Sequence, residues 1–366
     1  MNHQIIDRVI DLAIQIQQIP APTFYEDERG GFMRTCFVKE SLVDISIDDL
    51  GNIMGRLPGT GTEPPVIVSA HLDTVFPLDT DLSIQKYPDK VAGPGIGDNS
   101  VGLAGLMGLL WGIKDHGIGL ASDIWLVANV GEEGLGDLRG IKYVVDRFAD
   151  QAKAYIILEG MALGQVYHRG LGVERYQINV STPGGHSWVD FGKPSAVHEL
   201  ARIVTKLVEI PVDEQPRTTM NVGVISGGTT VNTIASEAYV ELDLRSEDVA
   251  ALDQLVGSVK EILQGFQKPA VKVDAELIGQ RPAGEISQDH PLVELASSCL
   301  EQVGIKPRFN IGSTDANIPL SLGFPAVCLG LTTGNGAHTD GEYINISPLQ
   351  LGLEQLLLVI EGLGGS

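Results

Sequence analysis

Val66-Ile-Val-Ser-Ala-His71-Leu-Asp73 is a run of β-branched and small residues that breaks off at a histidine and an aspartate. A strand buried on both faces of a parallel sheet reads this way, because neither side meets water. The polar pair then stands where the chain leaves the sheet. Outward from this strand the pattern repeats: a helical run over Val101–Ile113, a strand over Ile124–Val130, a helical segment around Tyr143–Phe148, and a strand over Tyr155–Leu158. Such alternation is the βαβ signature of a mostly parallel sheet with helices on both faces.

The pattern changes at about Gly172. A strand with polar alternation over Val173–Ser181 leads to a helix over Ser195–Val208, strands over Thr219–Ile225 and Ala238–Arg245, a helix over Val249–Leu263 and a strand over Val271–Ile278. That order, β-α-β-β-α-β, is the split unit of ferredoxin-like α+β domains. From about Glu285 the α/β character returns, with a helix over His290–Val303, a strand over Ala326–Leu331 and a final helix over Leu349–Leu363. The expected organisation is a discontinuous α/β domain, residues 1–172 and 285–366, carrying an inserted α+β domain over 173–284.

Composition agrees with a two-domain globular chain. Its 366 residues exceed one ordinary core, and 43% hydrophobic with 20% charged residues is a folded, not a disordered, balance. The 25 Lys and Arg against 47 Asp and Glu leave a formal charge of -22, which excludes nucleic acid and anionic membranes as expected partners. Cys36, Cys299 and Cys328 form no CxxC, so neither a disulfide framework nor a thiolate metal site is expected, and the compartment reads as reducing. The N-terminus is an amphipathic helix interrupted by Asp7, Arg8 and Asp11 and not a signal peptide, which points to the cytoplasm. The uncharged stretch Asn99–Ile113 is shorter than the roughly 20 residues a membrane-spanning helix needs. It reads as a buried helix whose glycines permit close packing.

Four strands run into groups that bind metals: Val66–Ala70 into His71 and Asp73, Ile124–Val130 into Glu132-Glu133, Tyr155–Leu158 into Glu159, and Ala326–Leu331 into the loop carrying His338. Ligands of open α/β sheets bind outside the carboxyl ends of the strands, so these segments are expected to converge. Asp98 joins them from the loop Gly93-Pro-Gly-Ile-Gly97-Asp98. Singly each has a plain reading: a satisfied histidine, a solvated glutamate pair, a helix N-cap. Together they offer imidazoles and carboxylates without sulfur, a donor set for zinc, manganese or cobalt. Asp73, two residues past His71, can accept the distal imidazole N–H and fix the tautomer. A nucleotide-binding reading of Gly93-Pro-Gly95-Ile-Gly97 fails on spacing, since Asp98 stands where a glycine is required.

In the order His71-Leu-Asp73, Gly97-Asp98, Glu132-Glu133, Glu159, Gly185-His186-Ser, Asn232, Arg245, Arg281-Pro, Gly312-Ser-Thr-Asp315 and His338, the chain resembles the co-catalytic zinc exopeptidases and amidohydrolases. That family includes glutamate carboxypeptidase, aminoacylase, succinyl-diaminopimelate desuccinylase and peptidase T. The resemblance implies a zinc-exopeptidase-like fold and two divalent ions per chain, zinc first, with cobalt or manganese as alternatives. One ion would take His71, Asp98 and Glu159, the other Asp98, Glu133 and His338. It further implies Glu132 as general base, Asp73 beside His71, and His186 reaching into a partner's site from the inserted domain of a homodimer. Asn232, Arg245 and Arg281 match positions that bind substrate, and a cis peptide follows the bridging aspartate of relatives, here Asp98-Asn99.

The implied reaction is hydrolysis of an amide bond in small peptides or N-acyl amino acids. Departures exist: many relatives carry Lys two residues after the bridging Asp, where this chain has Ser100. Glu159 matches carboxypeptidase and acylase relatives, whereas Gly312-Ser-Thr-Asp315-Ala-Asn-Ile is similar to peptidase T. The alternatives are an aminopeptidase or tripeptidase of that type, and a catalytically silent metal-binding scaffold.

Overall fold

The computed structural model describes residues 1–364. They form two compact units, Met1–Gly170 with the chain from Gly284 onward, and Leu171–Ala283.

The first unit is built on a nine-stranded sheet. Its centre is four parallel strands in the spatial order Ser122–Asn129, Glu63–His71, Ala154–Glu159 and Ala326–Gly330. These strands are almost wholly buried, as their apolar sequences require. Antiparallel strands flank the centre, Ile53–Leu57 and Val43–Ile47 on one side and Gln165–Gly170 on the other. Registry aligns the carboxyl ends: His71 stands opposite Asn129, and Glu159 opposite Gly330.

Helix Val101–His116 is buried from Val101 to Ile113 and ends at Gly117 in the left-handed conformation. Its glycines have a packing cause. A Cβ at Gly108 would lie 2.8 Å from Val9 Cγ2 and 3.0 Å from Leu353 Cδ2, so the first helix, His3–Gln17, and the last, Leu349–Gly364, both come against it. Among the described residues no helix is long and apolar enough to cross a membrane.

The second unit is a four-stranded antiparallel sheet in the order Thr218–Gly227, Glu237–Ser246, Gly172–Ser181, Lys272–Arg281. Strand Glu237–Ser246 alternates buried and partly exposed residues, the period-two pattern of a sheet with one covered face. Helices Ala196–Leu207 and Val249–Gly265 cover it, sharing a core with Ile178, Val240 and Leu242. The chain order is the β-α-β-β-α-β of the sequence reading, on a mixed α/β fold with a mostly parallel main sheet.

Candidate active site

The parallel strands deliver their terminal residues to one place. His71 is the last residue of its strand and Glu159 the last of the next, while Glu132-Glu133 follow Asn129 and His338 lies on the loop after Gly330. Asp98 comes from the turn Ile96–Ser100 that opens the buried helix, and the Asp98-Asn99 peptide is cis. Asp98 is not the helix N-cap, a position held by Ser100.

Asp98 lies between the two imidazoles. Its Oδ1 is 3.0 Å from His71 Nε2 and its Oδ2 is 3.1 Å from His338 Nε2. Glu133 Oε1 lies 3.1 Å from the same His338 nitrogen, and Glu159 Oε2 is 3.9 Å from His71 Nε2. One carboxylate oxygen thus faces His71, near Glu159, and the other faces His338, near Glu133. Ligand atoms of His71, Asp98 and Glu133 lie within 4.8 Å of one another, and the donors are nitrogen and oxygen alone, which fits a borderline or hard divalent cation.

The electrostatics are those of crowded acids and imidazoles. Hydrogen bonds donated to the carboxylates of Asp98 and then Glu133 push the His338 imidazole up to about 10. Burial opposes charge on His71, yet Asp73 and Asp98 raise it well above the ordinary histidine range. Burial, with the charges of Asp98 and Glu132, holds the Glu159 carboxyl well above its usual range. Such a cluster of buried acids is stabilised by positive charge placed among them.

Asp73 has a further part besides its place next to the His71 imidazole. His71 Nδ1 is 3.0 Å from the Asp73 main-chain carbonyl, while the Asp73 carboxylate is 3.6 Å away. The carboxylate also accepts the Glu132 N–H on Oδ1 at 2.9 Å and the Glu133 N–H on Oδ2 at 2.8 Å, with the Thr23 hydroxyl at 2.9 Å. Fully buried, it sets where the glutamate pair turns. At the neighbouring strand end, a Cβ at Gly160 would lie 1.9 Å from the Gly97 carbonyl oxygen, so only glycine lets the Glu159 strand come so close to the Asp98 turn.

Other residues here carried no signal in the sequence. Arg29 is buried and donates to the Leu72 and Ile19 carbonyls at 2.9 and 3.0 Å, holding the chain just after His71. Asn129 donates to Asp315 at 2.7 Å, and Glu342 accepts main-chain N–H groups from the Asp98 turn. Glu342 follows His338 by four residues without any composition cue.

The remaining predicted residues stand on the second unit. His186 is exposed; its main-chain N–H donates to Asp190 at 2.8 Å, and its Nδ1 accepts the N–H groups of Trp188 and Val189 at 3.2 and 3.4 Å. Nδ1 being an acceptor, the neutral ring carries its proton on Nε2 and presents it as a donor. Asn232 is exposed and accepts the Thr230 hydroxyl at 3.1 Å. Arg245 pairs with Asp243 at 2.7 Å, a carboxylate also held by Arg175 at 3.0 Å. Arg281 ends its strand and is buried.

The sequence pattern of the peptidase family M20/M25/M40 matches residues 67–362. The chain belongs to that family. As a member of this peptidase family it is a metal-dependent hydrolase of peptides. The uncharacterised protein YqjE of Bacillus subtilis (strain 168) is 23% identical over 97% of this chain and 98% of its own. The cytosol non-specific dipeptidase of Escherichia coli (strain K12) is 25% identical over 69% of this chain and 57% of its own. The crystal structure of a tripeptidase from Staphylococcus aureus shares the fold at a TM-score of 0.81 and 22% identity, covering 98% of each chain.

Proposed function

We propose that the chain hydrolyses the amide bond of small peptides or N-acyl amino acids at two divalent ions, zinc first, with cobalt or manganese as substitutes. The observation that carries this is Asp98, whose two oxygens each meet a different imidazole, beside a different glutamate. When bound, such ions polarise a water and the scissile carbonyl.

The chain's own groups supply the rest. Glu132 is buried beside Glu159, and its main-chain N–H is fixed by Asp73. As general base it takes the proton of the attacking water and hands it to the leaving amine. His186 offers an Nε2–H to the oxygen on which charge develops. It does so in a second copy, across a homodimer built through the inserted unit. Two features support this: Thr218–Gly227 is an outer, largely exposed strand, and Trp188, Val189 and Phe191 beside His186 are exposed. Arg281 binds the carboxylate of the substrate, for which a planar guanidinium is suited, with Arg245 opposite the same Val173 on the other side of that strand; Asn232, which stands with His186 at the other end of the sheet, joins them from the second copy. The free thiols support a reducing compartment, the cytoplasm.

The test is a panel of dipeptides, tripeptides and N-acyl amino acids assayed with zinc, cobalt and manganese. Metal analysis is expected to find two divalent ions per chain, with activity lost on chelation and restored by zinc or cobalt. Full activity in protein free of divalent ions would overturn the proposal. Cleavage of free-amine tripeptides alone would instead assign the tripeptidase reaction.

A further inference from the structure

Glu342 is fully buried and has no part in the roles given above. Its Oε1 accepts the N–H groups of Gly97 and Asp98 at 2.6 and 2.8 Å, and its Oε2 accepts that of Gly95 at 3.0 Å. The main chain continues the attachment: the Gly93 N–H donates to the Glu342 carbonyl at 2.9 Å, and Tyr343 pairs with Ala92 in antiparallel register. One residue on the His338 loop thus receives the N–H groups of Gly93, Gly95, Gly97 and Asp98 in the turn that carries Asp98.

The turn requires such a partner. It leaves the sheet with Gly95 at positive φ, so its N–H groups converge on one point and no strand ladder can accept them. A buried N–H left without an acceptor costs about 1–3 kcal/mol. A carboxylate has two acceptor oxygens for three donors, whereas a carboxamide has only one and turns a donor toward the remaining N–H.

We infer that Glu342 is a positioning residue for the metal site. It holds the Gly93–Asp98 turn against the His338 loop, so that Asp98 aims Oδ1 at His71 and Oδ2 at His338. The inference rests on the reading of Asp98 as a shared metal ligand. Glu342 itself holds neither ion nor substrate, since both its oxygens are occupied by main chain.

The experiment compares wild type with Glu342→Gln, using cobalt alone as probe, together with amide hydrogen exchange. Glu342→Gln is expected to bind cobalt about 10–100-fold more weakly, the usual cost of losing a group that orients a ligand. Its cobalt absorption spectrum should change, kcat should fall with KM little altered, and the Gly97 and Asp98 amides should exchange at least about ten-fold faster, following loss of their acceptor. Glu342→Asp, one methylene short but charged, should fall between the two, and it replaces the glutamine variant if that chain does not fold. Native cobalt affinity with native exchange in either folded variant overturns the inference. If neither folds, wild-type Gly97 and Asp98 amides exchanging as unprotected amides overturn it. If wild type takes up no cobalt, the metal reading fails by itself, and the effect on exchange alone decides whether Glu342 holds the turn.

Discussion

Glu132 and Glu133 are adjacent and buried alike, yet their surroundings separate them. Glu133 reaches His338 at 3.1 Å and joins the donor set, while the charge of Glu132 is felt by Glu159. Asp73 takes both main-chain N–H groups, one on each oxygen, which fixes the pair as a unit and leaves the side chains to diverge. Glu132→Gln keeps shape and removes basicity. Its turnover is expected to fall by about 10²–10⁴-fold, the range of a general base, while metal content stays that of wild type. Metal analysis beside kcat checks this; loss of metal along with activity would make Glu132 a ligand.

At the scale of elements, the site exists because four parallel strands stop together, and this much was legible. Buried strands betray themselves as unbroken apolar runs, and the residue that ends each run is conspicuous, as His71 and Glu159 are. Strand Val43–Ile47 and its partner Ile53–Leu57 carry little sequence signal because they are short and lie at the antiparallel margin, where Val43 and Ile47 are exposed. Helix Asp27–Lys39 carries little as well, because Gly30 and Gly31 break its pattern and its apolar face is weak. Arg29, on that helix, could not be placed for the same reason. The hydrogen bonds of Asp73 and Glu342 were hidden more deeply, since they join main-chain groups that any sequence carries.

His186 belongs to an element too, the short antiparallel pair Gly185–His186 with Thr233–Ile234. If it completes the site of a second copy, an inactive His186→Ala chain mixed with an inactive His71→Ala chain should recover activity. Recovery approaching one quarter of wild type is the order expected from random pairing, in which half the dimers hold one complete site. An absence of recovery, with subunit exchange demonstrated, would remove the role in trans.

For the molecule as a whole, the three cysteines report on packing. Burial pushes the Cys299 thiol up to about 11 and raises Cys328 well above the ordinary range, and Cys36, half-buried, is raised as well, by burial first. The thiolate is the reactive form, so all three should be sluggish near pH 8. A disulfide reagent is expected to titrate three thiols in denaturant but at most one, Cys36, slowly in the native protein. Rapid reaction of two in the native state would contradict the buried placement of Cys299 and Cys328.

The position of strand Ala326–Gly330, hydrogen-bonded between Ala154–Glu159 and Gln165–Gly170, has a consequence for how the chain is made. The ribosome delivers the central sheet with a gap that stays unfilled until residues 326–330 of the 366 emerge, and the last helix, which seals Gly108, comes later still. The inserted unit is continuous in sequence, has a core of its own, and is fully synthesised before that moment. Domains fold as units as they emerge, so the inserted piece is expected to mature while the half-built sheet still waits with open apolar edges, the period in which a nascent chain depends most on chaperones.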